Sequence, residues 1–216
     1  MMNVALNAFF CMSAAYILAK FNNIKGPIMD GIFVLLVMAV MYGMNVEVLK
    51  KRCGASDMGV VAKATFVPWS LLGILMVLLN LVPGWKQPFS NTFGYLIVLL
   101  GSGKQKLRDM LKTEATPSLK FINDDPWSLL ANFSTVNFDK TVEVLRRDTP
   151  LNESKIAPFK KIVVLKDLVS ELVWFMLVGS VAITLSYTSM SAYKCQSDTA
   201  TPIELPKTPD VKKYFS

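Results

Sequence analysis

The sequence contains no histidine. That removes imidazole general bases, Ser-His and Cys-His nucleophile pairs, histidine metal ligands and the ordinary neutral-pH switch. Cysteine is scarce: Cys11, Cys53 and Cys195 form no CxxC pair, so a zinc ribbon or dithiol redox motif has no ligands. Charge is also scarce. Only 18% of the 216 residues are charged, against about 25% in soluble domains. Basic residues exceed acidic ones, 23 to 16, for a net +7. The excess is dispersed and has no interleaved aromatics, so nucleic acid is not an expected partner.

Long apolar blocks fill the space that charge leaves. Crossing a bilayer takes about 17–25 mostly apolar residues in a helix. Val4–Ala19 and Gly31–Val46 are two such blocks, within residues 1–48. They predict a transmembrane hairpin about the turn Lys20–Pro27, with small-xxx-small pairs Ala15/Ala19 and Ala39/Gly43 for close approach. The first block has no basic residues before it and no good cleavage site after it, so it reads as a retained span. Residues 49–63 read as a basic loop, with Lys50-Lys51-Arg52 placed to meet lipid headgroups. A third span covers 64–85, with Pro68 expected in its first turn and Trp69 and Trp85 at headgroup level. The fourth covers 168–190, where Ser180 and Thr184 can bond the preceding turn or a neighbour.

Between the last two spans, residues 86–112 predict a short interfacial amphipathic helix, because apolar Phe93–Leu100 is too short to cross. Residues 113–167 form a helical extramembrane segment. Over Ser102–Asp167 there are 12 basic and 9 acidic residues, too little apolar material for a large core of its own. Pro117, Pro150 and Pro158 are expected to break it. Asp125-Pro126 looks like one helix start, and Asp139 like a cap for Lys140–Arg147. Residues 191–216 are a polar, proline-containing tail that cannot bury a core and is expected to order on a partner through Pro202, Pro206, Pro209, Tyr214 and Phe215. The predicted fold class is therefore all-α: an integral membrane protein of about four transmembrane helices.

Sites for chemistry are thin. Gly101-Ser-Gly-Lys104 lacks the earlier glycine and the Ser/Thr of a P-loop. Asp124-Asp125 fits a solvated turn better than a metal site. Glu171 is an ionisable residue near a membrane, a site hypothesis by default, but one turn into its span it can reach headgroups or a lysine. Cys53 and Cys195 fall on one side of a four-span chain, where a disulfide can form; free buried thiols fit equally. The basic residues near span ends divide six against seven between the two sides, so charge does not orient the chain. The sequons at Asn132 and Asn152 share the side opposite the cysteine pair. No catalytic residue, metal, cofactor or small-molecule substrate is expected, and an enzyme is not.

Several phrases carry a resemblance. Trp85-Lys-Gln-Pro-Phe-Ser-Asn-Thr-Phe-Gly-Tyr-Leu96, Asp124-Asp-Pro126, Val169-Ser-Glu-Leu-Val-Trp174, Leu185-Ser-Tyr187 and Cys195 together resemble the multi-pass virion membrane proteins of nucleocytoplasmic large DNA viruses of algae and amoebae. The likeness departs after Tyr187, at Thr188-Ser-Met190. The resemblance implies a minor capsid protein in the internal viral membrane, made on host endomembrane, with lipid, capsid proteins and other minor capsid proteins as partners. The alternative from another class is a small channel or transporter working through Glu171 or Asn80.

Overall fold

The computed structural model describes residues 2–22, 27–54, 57–111 and 126–195. Asp124-Asp125, Pro117 and the tail residues Pro202, Pro206, Pro209, Tyr214 and Phe215 lie outside them. Among the described residues the chain is all-α, with no strand and one isolated bridge, Leu111 to Leu151. Helix α1 is Met2–Phe21, α2 Pro27–Cys53 and α3 Met58–Leu81. A 3-10 turn, Pro83–Lys86, leads to α4, Gln87–Ser90, α5, Phe93–Leu100, and α6, Gly103–Met110. Then come α7, Pro126–Asn132, α8, Phe138–Asp148, and the 40-residue α9, Glu153–Ala192.

Helices α1, α2, α3 and α9 are long and apolar enough to cross a membrane. Their outward faces carry Leu18, Leu35, Val67, Ile74 and Leu185, all exposed, as lipid-facing surfaces must. Their inward faces share one core. Tyr16 stacks on Phe33 at 4.2 Å, both reach Phe175, and Phe9 meets Trp69 at 5.1 Å. Lipid is as apolar as these side chains, so dispersion and shape fit, not the hydrophobic effect, hold this core. Gly179 shows how close the fit is: a Cβ there would come within 2.0 Å of the Phe9 ring.

Helix α9 is the hub of the fold. At 1.5 Å per residue its 40 residues span about 60 Å, twice the hydrocarbon thickness. Charge divides it: Glu153 to Glu171 carries all its charged side chains, and Leu172–Ala192 carries none. The uncharged part, about 31 Å long, is the spanning part. The first four turns project beyond it and bury Phe159, Ile162 and Val163 against Leu107, Met110, Leu130, Phe133 and Phe138. Phe133 meets Phe159 edge-on at 5.0 Å. In this extramembrane core each buried phenylalanine contributes about 1.5–3 kcal/mol by leaving water.

The structure differs from the sequence expectations at several places, each for a local reason. Lys50-Lys51-Arg52 is the last turn of α2, not part of a loop, since no breaker precedes Gly54 (φ 73°). Asp57 accepts from the backbone N–H of Gly59 and Val60 and starts α3 six residues early. Pro68 therefore falls mid-helix and Trp69 in the bundle core, 1% exposed, instead of at the headgroups. Residues 86–112 hold three short helices, α4, α5 and α6, instead of one, and Ser102 adopts a left-handed conformation (φ 58°) between α5 and α6. Leu96, Leu99 and Leu100 face outward while Leu107 and Met110 are buried. The extramembrane segment builds a small core that includes Phe159, Ile162 and Val163 of α9, and Pro158 lies inside α9 instead of breaking it. Ala15, Ala39 and Gly43 are exposed, and α1 packs chiefly on α9, not on α2.

Candidate functional site

Five chain segments meet at the end of the bundle where α1 ends and α2 begins. Asp30 of α2 accepts from the Tyr16 hydroxyl and from Asn80 Nδ2, the latter at 3.2 Å. Lys20 lies 4.0 Å from Asp30 and 2.5 Å from Glu171. Lys86, in the 3-10 turn, approaches the other Glu171 oxygen at 3.2 Å. Two carboxylates thus face two ammonium groups. Glu171 is only 4% exposed. A buried charge so deeply desolvated is tolerable only with partners, and it has two. Glu171 and Asn80, set apart in the sequence as candidate permeation residues, belong to this one network.

One turn away the network becomes a clamp on the extramembrane helices. Ser170 Oγ donates to the Lys86 carbonyl at 2.5 Å, and Trp174 Nε1 to the Trp85 carbonyl at 2.9 Å. Asp167 accepts from Ser90 Oγ at 2.7 Å and from Thr135 N and Oγ1 at 2.6 and 2.8 Å. Lys166 Nζ reaches Asn91 Oδ1 at 3.2 Å and the Leu130 carbonyl at 3.1 Å. Lys166 lies beyond the spanning part of α9. Burial pushes its ammonium below the ordinary lysine value, and the Asp167 carboxylate opposes that shift. At Gly94 a Cβ would strike the Lys166 carbonyl at 2.6 Å, so only glycine lets α5 lie this close.

The opposite end of the bundle is tied differently. Pro68 has no N–H, which leaves the Ala64 carbonyl without its helical donor. Ser186 Oγ on α9 donates to that carbonyl. Asn45 Nδ2 in turn reaches Thr65 Oγ1 at 2.8 Å and Ser186 Oγ at 3.3 Å. A hydroxyl from a neighbouring helix satisfies the backbone group that proline frees. Cys53 and Cys195 form a disulfide with Cα atoms 5.2 Å apart. Arg52 caps α9 through the Met190 carbonyl at 2.6 Å, and Lys51 pairs with Glu47 at 3.4 Å. Of the three expected headgroup residues, two are therefore engaged by protein.

Sequence reasoning singled out Glu171 but not Lys20, Asp30 and Lys86 as its network. The signal was present: each is an ionisable residue at the end of an apolar run. Among the described residues no group of three or more acidic or cysteine side chains could hold a metal ion. Every buried charge described above meets a side chain or carbonyl of the chain, so the chemistry on offer is fastening. The helical extramembrane part and Cys195, where the tail begins, lie at opposite ends of the bundle. No family model, curated protein or solved structure matches the chain.

Proposed function

We propose that this chain is a structural membrane protein, a minor capsid protein that links the internal membrane of a large DNA virus to its icosahedral shell. The observation that supports it best is α9, one unbroken helix that runs from the bilayer into the extramembrane core. A protein that transmits position between a membrane and a lattice needs such a strut. Lys166, Asp167, Ser170, Glu171 and Trp174 lock it to its neighbours at successive turns, which makes the projecting part a rigid extension of the anchor. The resemblance in residues 85–195 supplies the identity of the two layers.

In this reading the extramembrane helices meet the shell, and the tail residues from Pro202 to Phe215 serve a contact on the other face of the membrane. High copy number makes weak contacts sufficient. Synthesis on host endomembrane precedes packaging. The test is lysine cross-linking of intact particles followed by mass spectrometry. Lys140, Lys155 and Lys161 are exposed, and links from them to shell proteins are expected. Links to the shell from tail lysines alone would reverse the orientation, and absence of shell links would overturn the proposal. Ion or solute flux in liposomes that depends on Glu171 or Asn80 would favour the channel alternative.

A further inference from the structure

A cavity of about 470 Å³ opens beside the junction, where α1 ends and the α5–α6 break meets α9. Its walls combine two chemistries. Phe21, Ile162 and Leu165 supply apolar lining, and Lys106 and Lys161 supply cationic lining. No acidic side chain lines the cavity. Among the described residues neither lysine forms an ion pair, whereas Lys20, Lys86 and Lys160 all do. Two uncompensated cations sharing a cavity with an apolar lining are complementary to an anionic amphiphile.

The position fits the bilayer surface. Phe21 closes the first spanning helix. The α5 residues Leu96, Leu99 and Leu100 next to Gly101 are exposed at 55%, 43% and 83%. Such a surface stays out of water only if it dips into the interface. We propose that this cavity binds an anionic phospholipid, with its phosphate between Lys106 and Lys161 and an acyl chain running down past Leu165 and Phe21 into the bilayer. The apolar lining commits the site to a lipid over a free phosphate, which would leave that lining uncovered. The site goes beyond the scaffold role and holds for any function of this membrane protein. It also lies at the opposite end of the bundle from Lys50-Lys51-Arg52, where the sequence alone places the lipid contact.

The test is native mass spectrometry of the full chain released from nanodiscs of phosphatidylglycerol and phosphatidylcholine mixed equally. Phosphatidylglycerol is expected to be retained preferentially. A basic residue near an anionic lipid surface contributes about fivefold in binding, so Lys106→Gln with Lys161→Gln predicts a loss of about 30-fold. Ala157→Trp, which fills the cavity and keeps both lysines, predicts a comparable loss. Lys50→Gln with Lys51→Gln, at the other end of the bundle, predicts a much smaller loss. Helix content by circular dichroism confirms that each variant is folded. Equal retention of the two lipids, retention insensitive to Ala157→Trp, an equal loss on changing Lys50 and Lys51, or displacement by millimolar glycerol phosphate would each overturn the proposal.

Discussion

Replacing Ser186 with alanine isolates the bond that makes a mid-helix proline tolerable. Ser186 is 4% exposed and donates to the Ala64 carbonyl that Pro68 leaves free. A buried carbonyl without a donor costs about 1–3 kcal/mol. Hydrogen bonds between membrane helices average about 0.6 kcal/mol and reach about 1.7. The carbonyl here has no donor in its own helix, so the upper part of that range applies, about 1–2 kcal/mol. In a Pro68→Ala background residue 68 regains its N–H and the helix itself satisfies Ala64. Ser186→Ala should then cost about 0.5 kcal/mol, a coupling of about 1 kcal/mol. The Asn45 donor loses its Ser186 acceptor in both backgrounds, and the proline ring is absent from both Pro68→Ala proteins, so these effects cancel in the cycle. The assay is reversible unfolding in mixed micelles titrated with dodecyl sulfate, on all four proteins. Additivity within about 0.3–0.5 kcal/mol, the scatter of independent sites, would refute the reasoning.

Three further outcomes follow from other contacts. Glu171→Gln leaves Lys86 facing a neutral group and Lys20 with only the distant Asp30, and should destabilise the bundle by about 3 kcal/mol, read in the same micelle titration; a change below about 0.5 kcal/mol would show that water reaches the network. Gly179→Ala drives a Cβ into the Phe9 ring and should cost about 1–3 kcal/mol, most of it recovered by adding Phe9→Leu; failure of that rescue would place the strain elsewhere. A Cys53–Cys195 disulfide favours an oxidising compartment, so on the proposed host endomembrane that side is expected to be lumenal and the sequons at Asn132 and Asn152 unglycosylated. Mass shifts from thiol alkylation before and after reduction, with glycosidase digestion, check both; glycan on Asn132 would contradict this orientation.

Much of the anchor was legible in the sequence because lipid imposes a simple rule. Uncharged runs of sufficient length mark α1, α2, α3 and the far half of α9, and the side shared by Cys53 and Cys195 follows from counting spans. Element ends were harder, since single residues decide them. Asp57 moves the start of α3, and with it the meaning of Pro68 and Trp69. Ser102 sits between α5 and α6 with a positive φ that its sequence does not advertise. The junction was invisible for a different reason. Lys20, Asp30, Lys86 and Glu171 are spread over more than 150 positions, and only the bundle shows that they meet. The small extramembrane core was hard to read because its residues come from short helices scattered between Val98 and Leu151, and only a quarter of it, Phe159, Ile162 and Val163, lies on α9.

The most direct test of the proposed structural role is quantitative mass spectrometry of gradient-purified virus particles before and after detergent stripping. A fixed copy number matching a multiple of the icosahedral asymmetric unit, lost only when the membrane is dissolved, is the expected result. A chain absent from particles and confined to infected-cell membranes would contradict it.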